Sequence, residues 1–286
     1  MPMPETKYEH GYRYVPFITL SLTEPKARIW ITLSGCNFKC KGCFSIARDT
    51  VGEPMTVDGL INWVKKSSRA YNGNTLLQDA VITGGEPTLD KDFLMDLVLN
   101  LKMRIEVKHI TLSTNGYLLD RRYVMELKDI GLDVVKLDIK AYNESIHQWY
   151  TSMSNRPVLK AARYLWESKL DFRVETVLMP EIVDVEEIER IASFLAQIDP
   201  EIKYKVIKFA PGEAREKVAR RPSDDEIKLA VDSASKYLRN VAGGKACVQQ
   251  FASPRSREEE AKKWVRVYPD MKTETIIAKP GGFEVS

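Results

Sequence analysis

The chain has 286 residues, of which 44% are hydrophobic, enough for a packed core and too many for global disorder. Lys and Arg number 43 and Asp and Glu 40, a formal net charge of +3 that gives no electrostatic basis for binding nucleic acid or a membrane surface. The first residues, MPMPETKYEHGYRY, contain no basic stretch followed by an apolar one, and no window approaches the roughly 20 apolar residues of a membrane span, so the expected location is cytoplasmic. Three of the four cysteines, Cys36, Cys40 and Cys43, cluster in one short segment. Clustered thiols in a reducing compartment more often bind metal or do redox chemistry than form disulfides.

Residues 1–28 form an N-terminal extension, with Phe17–Leu22 a candidate strand turning at Glu24–Pro25. From Ile29 onward, short runs rich in Val, Ile, Leu and Thr alternate with amphipathic stretches. Strands are predicted at Ile29–Ser34, Ala80–Thr83, His109–Ser113, Val134–Ile139, Arg173–Met179 and Lys203–Phe209. Helices are predicted near 57–70, 90–103, 120–130, 156–168, 185–198 and 223–239, with Asp184 and Ser223 as N-caps. This alternation predicts βα units on a parallel sheet, which six units would build as an incomplete barrel or an open sheet. Residues 241–286 form a tail of unknown role, with a charged helix near 256–264 and a strand at Thr273–Ala278.

In such folds the loops leaving the C-terminal strand ends build the site. The first strand runs into Ser34-Gly35-Cys36-Asn37-Phe38-Lys39-Cys40-Lys41-Gly42-Cys43, a C-x3-C-x2-C spacing. On a helix these cysteines would share a face and could simply be core residues. Gly35 and Gly42 disfavour a helix, Asn37 favours a turn, and a loop is due after the strand. Three thiolates in one loop repel one another unless a metal offsets them. Structural zinc and stable iron–sulfur clusters ordinarily take four ligands. Three thiolates on a cubane leave one iron open to a ligand. Lys39 and Lys41 would favour thiolate over thiol.

The second strand ends in Gly84-Gly85-Glu86-Pro87, where two glycines allow a sharp turn and close approach to a ligand. Alone this is only a turn signal. On the fourth strand, Lys136, Asp138 and Lys140 share one face by the two-residue period. Charged residues there suit a barrel interior when they serve a site.

The C-x3-C-x2-C loop after the first strand resembles the signature of the radical S-adenosylmethionine (SAM) superfamily. Gly84–Pro87 is similar to the superfamily's segment for the SAM amino group, and Ser113-Thr114-Asn115-Gly116 and Leu137-Asp138-Ile139-Lys140 resemble its pyruvate formate-lyase activating branch. The likeness spans about residues 29–240. It implies a partial (βα)6 parallel barrel over that stretch. It also implies a [4Fe–4S] cluster on Cys36, Cys40 and Cys43, with an open iron chelated by SAM. A low-potential electron donor would drive SAM cleavage to a 5′-deoxyadenosyl radical that abstracts hydrogen. By the same likeness, Gly84, Gly85, Glu86 and Pro87 would hold the SAM amino group through backbone polar atoms. Asp138 would make a polar or cation-mediated contact to SAM, and Lys140 would face its carboxylate. Ser113 replaces an acidic residue, which puts a monovalent cation in doubt. Glu175 replaces an arginine and would reach the ribose. Gly42 replaces an aromatic residue near adenine, so stacking must come from elsewhere, and no histidine follows strand six.

The resemblance implies activation of a glycyl radical enzyme by hydrogen abstraction from one of its glycines. The alternative keeps the radical chemistry but modifies a peptide, nucleoside or metabolite. A remote alternative is an electron-transfer or zinc protein using Cys247 as fourth ligand. That reading leaves Gly84–Pro87 without a purpose, and His10, His109 and His147 sit in no metal-binding motif.

Overall fold

The computed structural model describes residues 11–21, 27–72, 77–212, 214–243, 263–279 and 282–285. In chain order the elements are β1 (Arg13–Val15), β2 (Ile18–Ser21), β3 (Arg28–Leu33), β4 (Glu53–Met55), α1 (Val57–Asn72), β5 (Asp79–Gly84) and α2 (Lys91–Arg104). Then come β6 (His109–Thr114), α3 (Arg121–Asp129), β7 (Val134–Asp138), α4 (Glu144–Thr151), α5 (Arg156–Ser168), β8 (Asp171–Leu178), α6 (Val185–Ala196) and β9 (Lys203–Lys208). The chain continues through α7 (Asp224–Ala234), β10 (Val241–Gly243), β11 (Lys263–Val267), β12 (Thr273–Lys279) and β13 (Gly282–Val285).

The six predicted parallel strands are β3 and β5 to β9, hydrogen-bonded in chain order. The fold is mixed α/β around a mostly parallel sheet, in keeping with a partial barrel. Alternation explains why these strands form. Ile29, Ile31, Ala80, Ile82, Ile110, Leu112, Val135, Leu137, Val174 and Val206 are fully buried, whereas Trp30, Thr111, Ser113, Lys136, Arg173, Glu175 and Lys205 are half-buried. One face therefore packs into the apolar core and the other forms a polar inner wall. Ser223 caps α7 in a reciprocal capping box with Glu226, while Asp184 caps α6 without a side-chain hydrogen bond.

The N-terminal and C-terminal segments join the same sheet. β2 pairs antiparallel with β3, and β11, β12 and β13 continue outward from β2. Among the described residues, β10 and β13 end the ladder. Glu24–Pro25, His10, Cys247 and the expected tail helix up to residue 262 lie outside the described residues. The end of that helix is corrected: Lys263 and Trp264 begin β11, whose Val265 and Val267 are buried and whose Trp264 pairs with Ser21. Tertiary pairing with β2 overrides the local charge pattern there. The short β1–β4 pair and α4 were not anticipated. No helix among the described residues is long and apolar enough to cross a membrane.

Candidate functional site

The cysteine segment is a loop, as Gly35, Asn37 and Gly42 require, and its backbone is fastened on every side. The Gly35 N–H donates to Ala47 O at 2.8 Å, and the Glu86 N–H to Gly35 O at 2.7 Å. From α4, Thr151 O accepts from the Lys39 N–H at 2.8 Å and Tyr150 O from the Lys41 N–H at 3.0 Å. On the far side, the Arg215 N–H donates to Cys43 O at 3.0 Å. These contacts fix where the three side chains point before any ligand arrives.

Gly84 and Gly85 lie directly beneath. Gly84 has φ +135°, a conformation open to glycine, and a Cβ there would collide with the Leu33 backbone. A Cβ on Gly85 would collide with the carbonyl oxygens of Gly35 and Ala47. Both N–H groups following Gly84 are spent inside the protein, on Leu33 O at 2.9 Å and Gly35 O at 2.7 Å. Any ligand contact from this turn therefore falls to its carbonyls, the polarity an ammonium group needs.

Glu86 is fully buried and points away from solvent. Its Oε1 accepts from the Thr88 N–H at 3.0 Å, the Thr88 hydroxyl at 2.6 Å and the Thr114 hydroxyl at 2.6 Å, and its Oε2 from the Asn115 N–H at 2.7 Å. Burial pushes its pKa up, against the hydrogen bonds from Thr114, Thr88 and Asn115. The side chain thus ties the β5 turn to the β6 turn. Arg13, also fully buried, works alongside it: its guanidinium donates to Ser34 O at 2.8 Å, Pro87 O at 3.2 Å and Glu86 O at 3.2 Å. Asn115 completes the lattice, with Nδ2 donating to Asn37 Oδ1 at 2.8 Å and standing 3.9 Å from Cys36 Sγ.

Cys36, Cys40 and Cys43 are free thiols. Burial pushes Cys36 up to about 12, with Glu86 and the other two thiols adding to the shift. Burial likewise pushes Cys40 up to about 11, opposed by Lys140. Lys140, two residues beyond the end of β7, is therefore the cation that offsets charge at Cys40, in place of the expected Lys39 and Lys41; Lys41 instead meets Glu216 at 3.5 Å and the Trp149 ring at 5.4 Å. Cys36 and Cys40, both this resistant to ionisation, need a polycation to become thiolates together. Among the described residues no three Cys, His, Asp or Glu side chains converge closely enough for one metal ion. Three clustered thiolates suit an iron–sulfur cluster with one iron left open, whereas a structural zinc site takes four ligands. Phe38 N–H donates to Cys36 Sγ at 3.3 Å, the kind of hydrogen bond that tunes cluster potential. Asn37 Nδ2 is buried without a partner among the described residues, and an acceptor on a bound ligand would satisfy it.

Lys140 Nζ meets Asp138 Oδ2 at 2.9 Å. Burial opposes the Lys140 charge, but Asp138 and Cys40 reverse that and hold it above the usual lysine range. Ser113 pairs in register with Lys136, whose charge disfavours a monovalent cation beside it. Glu175 faces the inner wall and accepts from Arg173 Nε at 2.9 Å. The space that a side chain at Gly42 would need is taken by Phe209, whose Cε2 would stand 2.7 Å from a Cβ there, and by the Tyr150 hydroxyl at 3.1 Å. His147 is buried, with Nδ1 on Met153 O at 2.8 Å and its ring edge-on to Phe38, and His109 is exposed at the start of β6.

Sequence reasoning missed Arg13, Phe209 and the α4 clamp. Of these only α4 left a local signal, Asn143 as N-cap, whose Oδ1 accepts from the Ser145 N–H at 2.9 Å. Lys136 carries a prediction of its own. Burial lowers its pKa to about 8, with Glu175 opposing and Arg173, Lys205 and Arg28 reinforcing the shift. Unfolded, the lysine keeps its proton to about pH 10. Between pH 8 and that value the unfolded state binds more protons, so stability rises with pH. Urea unfolding should show wild type gaining about 1–3 kcal/mol over Lys136→Met across this window. A difference that stays flat would mean the ammonium is solvated.

Comparison with known proteins agrees with this geometry. Residues 30–195 match the radical SAM superfamily. A Methanocaldococcus jannaschii protein, named provisionally as a glycyl-radical enzyme activating enzyme, is 37% identical over 220 residues, covering 75% of this chain and 80% of its own. Pyruvate formate-lyase 1-activating enzyme of Escherichia coli is 31% identical over 163 residues, covering 54% of this chain and 63% of its own. A crystallised domain of pyruvate-formate lyase-activating enzyme from Bacteroides vulgatus shares the fold, with TM-score 0.50 at 20% identity, covering 57% of this chain and 97% of its own.

Proposed function

The chain belongs to the radical SAM superfamily, and from that membership we propose that it activates a glycyl radical enzyme by taking hydrogen from one glycine of that partner. The observation that carries the chemistry is the loop of three free thiols braced on Gly85. The glycine substrate is supported by the likeness to activating enzymes over most of the chain. In this reading Cys36, Cys40 and Cys43 hold a [4Fe–4S] cluster with one iron left for SAM, in the cytoplasm, fed by a low-potential one-electron donor. Bound together, cluster and SAM supply a 5′-deoxyadenosyl radical.

The chain's own residues bind and orient. Gly84 and Gly85 offer close approach and carbonyl acceptors for the SAM ammonium. Lys140 turns its charge toward the SAM carboxylate, with Asp138 holding the ammonium in place. Phe209, seated against Gly42, offers the aromatic surface that position 42 lacks. Glu86 and Pro87, committed to Thr88, Thr114, Asn115 and Arg13, position the turn rather than touch SAM.

The test is EPR on anaerobically reconstituted, reduced protein with and without SAM, alongside chromatography for 5′-deoxyadenosine. We expect a [4Fe–4S]⁺ signal that shifts with SAM, nucleoside product, and loss of both in Cys36→Ala. With a glycyl radical enzyme present, a glycyl doublet should appear. A cluster indifferent to SAM, with no nucleoside released, would refute the radical reading. SAM cleavage without a doublet would refute only the glycine as substrate.

A further inference from the structure

The inner wall carries a cationic group of side chains that the cysteine loop does not use. Lys136 on β7 stands in register with Arg173 on β8, and Lys205 on β9 stands in register with Glu175, two residues beyond Arg173. One carboxylate serves two of the three cations: Glu175 Oε1 accepts from Arg173 Nε at 2.9 Å and lies 4.0 Å from Lys205 Nζ. Arg28, whose charge also reaches Lys136, is already neutralised by Asp79 at 2.7 Å. Among the described residues Lys136 has no ion-pair partner within 4.0 Å.

The arrangement is costly as it stands. Like charges across neighbouring strands destabilise a sheet, and burial already pulls the Lys136 ammonium toward neutrality. An anion in the wall would reverse both effects. The three side chains are half-buried, so each keeps some surface open to solvent. They also sit close to the chemistry: Asp138 follows Lys136 on the same face, about 7 Å along the strand. Asp138 and Lys140 both act on the charge of Cys40.

We propose that Lys136, Arg173 and Lys205 form an anion subsite that anchors a carboxylate or phosphate group of the substrate and holds the rest of that molecule toward the cysteine loop. The proposal rests on the radical chemistry given above, not on the glycine, since it takes the molecule at this wall to be that site's substrate. A guanidinium with free edges recognises planar or tetrahedral oxyanions in two-point fashion, and two ammonium groups add charge without demanding geometry.

Calorimetric titration of the reconstituted protein with inorganic phosphate, and with the blocked dipeptide acetyl-Asp-Gly-amide, tests it. Saturable binding is expected, weakened at least about tenfold in Lys136→Met and restored in Lys136→Arg. Lys136→Met breaks no ion pair, so it should fold; melting curves check this. Lys228→Gln, on the outer surface of α7, controls for net charge and should bind as wild type does. Displacement of phosphate by the dipeptide assigns the anion to an acidic side chain of a protein substrate, and failure to displace assigns it to a phosphate ester; both keep the subsite. No saturable binding of either probe, or undiminished binding by Lys136→Met, overturns it. EPR and 5′-deoxyadenosine are read on the same samples. Their loss with intact anion binding sinks the radical reading instead.

Discussion

Gly85→Ala should strip the protein of its ability to hold an iron–sulfur cluster. The added Cβ would overlap the carbonyl oxygens of Gly35 and Ala47. Neither can yield cheaply, because both are backbone and are bound to each other's segments: Gly35 N–H to Ala47 O at 2.8 Å, and Glu86 N–H to Gly35 O at 2.7 Å. Relief requires the loop from Gly35 to Cys36 to lift off the β5 turn, taking Cys36 with it. A displacement near 1 Å at a reacting centre costs about a hundredfold in rate, and overpacking costs about 1–3 kcal/mol in stability. Iron and sulfide content after reconstitution should fall steeply, with 5′-deoxyadenosine formation falling in parallel. Gly212→Ala is the control, since nothing lies within 4 Å of the position its Cβ would take. Full iron content in Gly85→Ala would show that the loop has slack which its hydrogen bonds do not suggest.

Glu86→Ala should be among the most destabilising single changes in the chain. It orphans the Thr88 N–H and hydroxyl, the Thr114 hydroxyl and the Asn115 N–H in a site without solvent. Each unsatisfied buried donor costs about 1–3 kcal/mol, and even with partial relaxation the sum should reach about 4 kcal/mol. For a chain of this size that lowers Tm by roughly 10 °C. The damage should also reach the thiols, because Asn115 donates to Asn37 beside Cys36. A double-mutant cycle with Thr114→Val separates structural tie from ligand contact. Coupling of about 1 kcal/mol or more in denaturant midpoints, measured without SAM, marks a tie within the fold. Glu86→Ala with unchanged stability but weakened SAM binding would instead make Glu86 a cofactor contact.

Much of the site was legible in the chain itself. Cys36, Cys40 and Cys43 are neighbours in sequence, and Gly35 and Gly42 disfavour the helix that would have made them core residues. The inner-wall position of Lys136, Asp138 and Lys140 followed from the two-residue period of a strand. Glu86 was legible as part of a turn, but not as a buried tie, since its direction depends on Thr114 and Asn115 from the next strand. The N-terminal segment gave no sign that Arg13 would reach three carbonyls near Ser34 and Pro87.

By itself the sequence determined the six βα units, the loop that carries the thiols and the glycine turn after β5, because each depends on residues within a few positions of one another: hydrophobic period, helix capping and the φ freedom of glycine. Only the tertiary structure decided which strands neighbour which, and hence that Lys136, Arg173 and Lys205 share one patch of wall with a single carboxylate. It also decided that Phe209 would fill the space beside Gly42 and that Arg13 and Glu86 would brace the cysteine loop. Those contacts join residues far apart along the chain, and their energy comes from burial and register, which no local window of residues encodes.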